Sequence, residues 1–280
     1  MEISSIHGFT IEQGVLTLEK TAQKQWNENQ LKIGIPKETA AEEQRVAVTP
    51  EGVETLINAG HAVFVEKGAG EAARFGDDLY LLAGAQLANS AADLYAQAQL
   101  IAKMFPPTGE ELRLLQDRQI LISALHLGSA TAGLIQQLMT QRITAIGFEF
   151  IRDPDGTFPI VRMMHEITGA LSIQLATRFL ESTSAGRGLI LGGISGIPPA
   201  TVVILGSGII GEWAARTALG YGANVLVLDT ELGPLRQIEH FLSRNVTTAM
   251  ANPQYLRRAI RSADVVIGAK MKHGQRSPVL

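Results

Sequence analysis

The sequence predicts an α/β protein built from two doubly wound parallel sheets. Three observations carry that expectation. Apolar runs of strand length alternate with helical patterns from Leu31 onward. A strong turn signal, Asp153-Pro154-Asp155-Gly156, is followed by one long helical pattern that separates two such series. The chain has 280 residues, 46% of them hydrophobic, which is material for about two domains of ordinary size.

The elements follow in order. Residues 1–30 have weak periodicity and end in the polar run QKQWNENQ, so they read as an extension or arm. Candidate strands then fall at 31–36 (LKIGIP), 61–68 (HAVFVEKG), 98–105 (AQLIAKMF), 119–125 (QILISAL) and 144–150 (TAIGFEF). Between the first two, Thr49 is placed to cap and Pro50 to occupy the first position of a helix that runs to Gly60. Other helical patterns lie near 91–97, 109–116 and 129–141. After the turn, Glu166 to Leu180 reads as one long helix, with Ile167, Ala170, Leu171, Leu175 and Phe179 recurring at three- and four-residue steps. A second series of strands follows at 201–206, 224–229, 245–250 and 264–269. The domains expected are 31–164 and 165–280, behind the extension 1–30.

Composition narrows the function classes before any motif does. Aromatic residues are only 5% while glycines number 28, so the interior is aliphatic and the chain turns closely. With 24 Lys and Arg against 27 Asp and Glu, the net charge of −3 gives no footprint for nucleic acid or an anionic membrane. There is no cysteine, which excludes disulfides, thiolate metal sites and a cysteine nucleophile and fits a reducing, cytoplasmic compartment. No metal site is expected. The opening MEISSIHG lacks the basic and apolar regions of a secretory signal. Gly188 to Gly211 carries no charge and is long enough to span a bilayer, yet it holds Pro198-Pro199 and seven glycines. Such a stretch makes a poor continuous helix and reads as a loop followed by a buried strand.

The second domain contains the most specific motif. The apolar run Val202-Val203-Ile204-Leu205 leads into Gly206-Ser207-Gly208-Ile209-Ile210-Gly211, then a helical pattern, a second strand and Asp229 at its tip. This is the full context of a dinucleotide fingerprint in a Rossmann fold. Gly206 permits the tight turn, Gly208 lets a pyrophosphate approach the backbone, and Gly211 lets helix and strand pack closely. The backbone N–H groups of Ile209 and Ile210 begin the helix whose positive end faces the phosphates. Asp229 is expected to accept the adenosine ribose hydroxyls and to repel a 2′-phosphate, which favours NAD over NADP.

Several motifs of the first domain, taken in order with the glycine loop, carry a resemblance. They are IGIPKE (33–38), QRVAVTP (44–50), EKGAGEAARF (66–75), SALHLGS (123–129), FEFIRDPDGTFPIVR (148–162) and GRGLILGGISGIPPATVVILGSGIIG (186–211). From about residue 31 to the end the chain resembles the alanine dehydrogenase / proton-translocating transhydrogenase α-subunit family, and the alanine dehydrogenase branch more closely. The resemblance implies that 31–164 is a substrate domain and 165–280 an NAD-binding Rossmann domain, incomplete at its C-terminus. It implies that Arg45 holds the substrate carboxylate, for which a planar fork is suited. It assigns acid/base work to His126, whose imidazole titrates near neutrality.

The chain departs from the family pattern at three places. Phe105 stands where the family has a substrate-binding lysine, and Lys103, one strand period earlier and so on the same face, is the candidate to reach into the catalytic site in its place. His165 replaces a serine that contacts the cofactor. Lys270 and Met271, just past the strand 264–269, are counted as further candidate cofactor contacts. The family continues past the equivalent of 264–269 into a loop that completes the active site, so a truncated chain with little activity of its own is expected. The function implied is NAD-dependent oxidative deamination of L-alanine, or a related small amino acid, to the 2-oxo acid and ammonia. The expected partners are the amino acid or 2-oxo acid and further copies of the chain, with no membrane unless it acts as a transhydrogenase subunit. Alternatives are such an NAD(H)-binding transhydrogenase subunit or a non-catalytic NAD-binding regulator. Loss of the lysine, with Met163 and Met164, points to a more apolar substrate pocket.

Overall fold

The structure, a computed structural model, describes residues 30–242 and 245–270. The extension 1–29 and Met271 lie outside the described residues. Two compact units divide the chain, one ending at Phe148 and the other beginning at Glu149.

The first unit holds a six-stranded sheet. Its strands are β1 (Lys32–Ile35), β2 (Ala62–Glu66), β3 (Gln86–Ala88), β4 (Leu100–Ala102), β5 (Ile120–Ser123) and β6 (Thr144–Gly147). They are ordered β3-β2-β1-β4-β5-β6 and every pair is parallel. Between them lie α1 (Pro50–Asn58), α2 (Asp77–Leu82), α3 (Ala91–Gln97), α4 (Gly109–Leu114) and α5 (Ala132–Thr140). Helices cover both faces, so the strands carry nearly continuous apolar runs rather than alternation. The strand period still sorts the side chains: Ile33, Ile35, Val63 and Val65 pack to one side with Val53 and Tyr80, while Ala62 and Phe64 pack to the other with Leu94 and Ile101.

Local chemistry sets the helix starts. The Thr49 hydroxyl accepts from the Gly52 N–H and Pro50 takes the first helical position, as expected. Ser90 caps α3 through the Asp93 N–H, and Thr108 with Glu111 forms a capping box at α4. Gly34 is required where α3 crosses β1: a Cβ there would lie 2.7 Å from Leu94 Cδ2. The short β3 and α2 are not foreseen in the sequence, because three and six residues are too few to show a period.

The second unit is built from α6 (Pro159–Leu180), β7 (Thr201–Leu205), α7 (Ile209–Gly220), β8 (Asn224–Asp229), α8 (Leu232–Leu242), β9 (Thr247–Met250), α9 (Pro253–Ser262) and β10 (Val265–Gly268). Its sheet is parallel, in the order β10-β7-β8-β9. Residues 188–200 form the expected loop before the buried β7. Among the described residues no helix is long and apolar enough to cross a membrane. The long helix forms, starting seven residues earlier than its periodicity suggests because Pro159 supplies the first helical turn. Its face differs from a simple amphipathic reading. Ile167, Leu171, Leu175 and Phe179 are exposed, whereas Gly169, Ile173 and Leu180 are buried. Contact with α7 explains the choice. A Cβ on Gly169 would lie 2.5 Å from the Ile210 carbonyl oxygen and 2.8 Å from Trp213 Cβ, so the two backbones meet at the glycine.

Candidate active site

The order of the first sheet reverses between β1 and β4, and the segments that leave its carboxyl ends carry the candidate residues of the first unit. In open α/β sheets this crevice is where ligands bind. Past β1, the Glu38 carboxylate turns inward and is buried. It accepts hydrogen bonds from the Met104 N–H at 2.7 Å and the Phe105 N–H at 3.4 Å, tying the exit of β1 to the exit of β4. Lys103 sits just past β4 and is 2% exposed. Its ammonium donates to Glu111 Oε1 at 2.6 Å and lies 3.4 Å from Glu38 Oε2. The other Glu111 oxygen serves the α4 capping box. In this geometry Lys103 is a buried tie between two carboxylates, and its ammonium is not turned toward solvent.

Arg45 occupies the loop between β1 and α1 with its side chain half exposed. Glu43 grips it: Arg45 Nε donates to Oε1 at 2.8 Å and Nη2 to Oε2 at 2.6 Å, with the Arg45 N–H also on Oε1. These hydrogen bonds raise the arginine pKa, the Glu43 and Glu38 charges adding to them, and they hold Glu43 below the usual carboxylate range. The pair uses the Nε–Nη2 edge of the guanidinium. The Nη1–Nη2 edge is a second fork suited to a carboxylate. His126 follows β5, exposed, at a left-handed φ of 47°. Its carbonyl accepts from the Ser129 N–H and hydroxyl, which closes the turn. The Phe105 ring lies 5.5 Å from the imidazole, centroid to centroid, tilted by 56°. Arg45, Glu38, Phe105 and His126 are thus linked around the exits of β1, β4 and β5.

In the second unit the sheet reverses between β7 and β10, and the glycine loop lies there. Gly206 has φ 116°, and a Cβ on it would meet the Ala269 and Lys270 backbone at 2.7–2.8 Å. A Cβ on Gly211 would lie 1.9 Å from the Gly206 carbonyl oxygen. Gly208 differs, because a Cβ there meets nothing within 4 Å. It precedes Ile209 and Ile210, whose N–H groups open α7 and have no partner within the helix. Open space before a helix N-terminus fits a pyrophosphate.

Asp229 ends β8 and is 3% exposed. Its Oδ2 accepts from the Ser207 N–H and hydroxyl, both at 2.6 Å, and its Oδ1 from Lys270 Nζ and the Thr230 N–H, also at 2.6 Å. Burial pushes its pKa up, but the hydrogen bonds from Lys270 and Ser207 outweigh it and hold the carboxyl well below the usual range. The bond to Asp229 in turn raises the Lys270 pKa. His165 lies one turn before Gly169 on α6, half-buried, and burial lowers its pKa toward the neutral imidazole. The donor set and the space at Gly208 fit NAD.

Glu38, Glu43, Glu111 and Ser207 were not singled out in the sequence. A signal existed for Glu43, since a carboxylate two residues before an arginine can accept from that residue's own N–H and guanidinium. Glu111 is visible only as an N3 capping residue, and nothing local shows that its carboxylate faces Lys103.

The comparisons with known proteins concern the family and the fold. The family model described as alanine dehydrogenase/PNT, N-terminal domain, matches residues 34–168, and the C-terminal domain model of the same family matches 172–280. An alanine dehydrogenase of Methanococcus maripaludis is 39% identical over 248 residues, covering 89% of this chain and 66% of the relative. One from Mycobacterium tuberculosis is 38% identical over 250 residues, covering 89% and 67%. A solved L-alanine dehydrogenase superposes with a TM-score of 0.84 at 39% identity, over 89% of this chain and 68% of the other. A transhydrogenase from Sinorhizobium meliloti superposes at 0.77 with 23% identity, over 88% and 72%, a likeness of fold. The chain spans about two thirds of the length of the curated relatives it matches.

Proposed function

The chain belongs to the alanine dehydrogenase/PNT family, and from that premise we propose that it serves NAD-dependent oxidative deamination of L-alanine or a related small amino acid. The reaction takes the amino acid, NAD⁺ and water to the 2-oxo acid, ammonium, NADH and a proton. The observation that supports the reading is that Arg45 and His126 both lie in segments leaving the carboxyl ends of one parallel sheet, and that the glycine loop leaves β7 at the switch point of the other with Asp229 at the end of the neighbouring β8.

NAD⁺, when bound, supplies the acceptor for the hydride that leaves the substrate Cα. The protein binds, orients and moves protons. Arg45 offers its Nη1–Nη2 edge to the substrate carboxylate while Glu43 holds the other edge, so the guanidinium plane is set before the substrate arrives. His126 Nδ1 or Nε2 takes a proton from the substrate ammonium and releases it to solvent, then takes one from the water that adds to the imine carbon and returns it to the departing amine. Phe105 packs on that imidazole and presents an apolar wall to the substrate side chain. The Gly208 cradle and the Ile209 and Ile210 N–H groups would hold the pyrophosphate, and Asp229 the ribose. His165 would donate a hydrogen bond to the cofactor from a ring N–H.

Two further parts of the proposal concern assembly and place. The exposed row Met163, Ile167, Leu171, Leu175 and Phe179 runs at four-residue steps along α6, a ridge suited to packing against the same ridge of a second copy. A cytoplasmic location fits a cysteine-free chain, which has no disulfide to form in an oxidising compartment. The test of the central reading is calorimetric titration of pyruvate and of NAD. Arg45→Ala is expected to lose pyruvate binding by on the order of 100-fold and to leave NAD binding intact. Pyruvate binding that is indifferent to Arg45→Ala would overturn it.

A further inference from the structure

Asp229 holds more donors than a ribose can share. A carboxylate offers about four lone-pair sites. Oδ1 accepts from the Thr230 N–H at 2.6 Å, the Glu231 N–H at 3.2 Å and Lys270 Nζ at 2.6 Å, with the Thr230 hydroxyl at 3.4 Å. Oδ2 accepts from the Ser207 N–H and the Ser207 hydroxyl, each at 2.6 Å. The backbone donors belong to the glycine turn and to the turn that ends β8, and they cannot leave without unmaking those turns. Two strong donors can leave, because they are side chains: Lys270 Nζ on one oxygen and the Ser207 hydroxyl on the other. A vicinal diol presents one O–H to each oxygen, so these two groups stand where the ribose hydroxyls would donate.

They are not equally easy to displace. A hydroxyl rotates about one bond, whereas the ammonium gives up a charge-assisted bond to a buried carboxylate. Its backbone cannot swing away with it, since the Lys270 N and Ala269 C atoms abut Gly206, within 2.8 Å of where a Cβ would stand. A landing place is at hand in the exposed Glu231, whose Oε1 already lies 3.5 Å from Nζ. The displaced cation therefore stays beside the ribose. We propose that Lys270 is a specificity-determining residue of the adenosine subsite: its ammonium competes with the ribose diol for Asp229 and, once displaced, offsets the negative charge that would reject a 2′-phosphate. The proposal rests on reading this unit as an NAD site, and it says that the preference expected from Asp229 alone is narrowed by Lys270.

The experiment uses the intact chain and two probes that carry only the adenosine half of the cofactor, ADP-ribose and 2′-phospho-ADP-ribose, titrated by calorimetry. Lys270→Met keeps the aliphatic stem and removes the charge. The variant is expected to bind ADP-ribose about tenfold more tightly, the competing bond being gone, and 2′-phospho-ADP-ribose about fivefold more weakly. Opposite signs for the two probes are the signature. Lys270→Arg, which keeps the charge, should retain the wild-type ratio, and circular dichroism confirms that each variant is folded. In an Asp229→Ala background Lys270→Met should no longer tighten ADP-ribose. Shifts of the same sign for both probes, or none, would overturn the proposal and leave the nucleotide site standing. Binding of neither probe to any of the proteins would overturn the nucleotide reading together with it.

Discussion

Lys103→Met separates a structural tie from a ligand contact, and the structure sets the size of the effect. The side chain keeps its length and loses its charge. The Lys103, Glu38 and Glu111 side chains are 1%, 3% and 8% exposed, so removing the ammonium strands two carboxylates away from water. Breaking a buried ion pair by deleting one partner costs about 3–5 kcal/mol. Part of the charge is still met, since Glu38 keeps the Met104 and Phe105 N–H donors and Glu111 keeps Thr108, which argues for the lower half of that range. For a unit of this size the loss corresponds to roughly 10–15 °C in the unfolding midpoint. Differential scanning calorimetry and urea titration measure it. Adding Glu111→Gln to Lys103→Met removes one stranded charge and should return about 1–2 kcal/mol. A Lys103→Met protein as stable as wild type, with pyruvate binding lost, would refute the reasoning and make the ammonium a ligand contact.

Other outcomes follow from the same geometry. Glu43→Gln should weaken pyruvate binding about tenfold with NAD binding unchanged, because Arg45 loses the charged partner that sets its plane; calorimetry reads both. Gly211→Ala should cost at least 1–3 kcal/mol in denaturant unfolding and weaken ADP-ribose, since its Cβ would lie 1.9 Å from the Gly206 carbonyl oxygen. The Asp229 carboxyl is held below its unfolded value, so its contribution to stability is present above about pH 4 and fades as pH falls through the folded pKa. The stability gap between wild type and Asp229→Asn should accordingly narrow from pH 6 to pH 3 in urea titrations. Leu171→Glu with Leu175→Glu should dissociate an oligomer built on the α6 ridge, read by light scattering after size exclusion.

The glycine loop and Asp229 were legible in the amino-acid sequence because each rests on local constraint. Gly206 needs a left-handed turn, Gly211 a close helix–strand approach, and the acid follows from the length of one βαβ unit. Strand–helix alternation announced the parallel sheets for a similar reason: a strand buried on both faces must be apolar along its whole length. Thr49-Pro50 marked the start of α1 because capping is a matter of four consecutive residues. The tertiary structure alone decided the rest. Lys103 resembles a free strand-end lysine until Glu38, 65 positions earlier, and Glu111, a turn into the next helix, close on it. Ile167, Leu171, Leu175 and Phe179 have the period of a buried face, yet Gly169 sets the side on which α7 can approach, and so the ridge points outward. Lys270 lies 41 positions from Asp229, and only the pairing of β10 beside β7 brings its ammonium to that carboxylate. Short-range constraints are written in residue order because steric and capping forces act over a few bonds. Charge pairing and packing act through space, and the sheet order that creates those distances is a property of the folded chain.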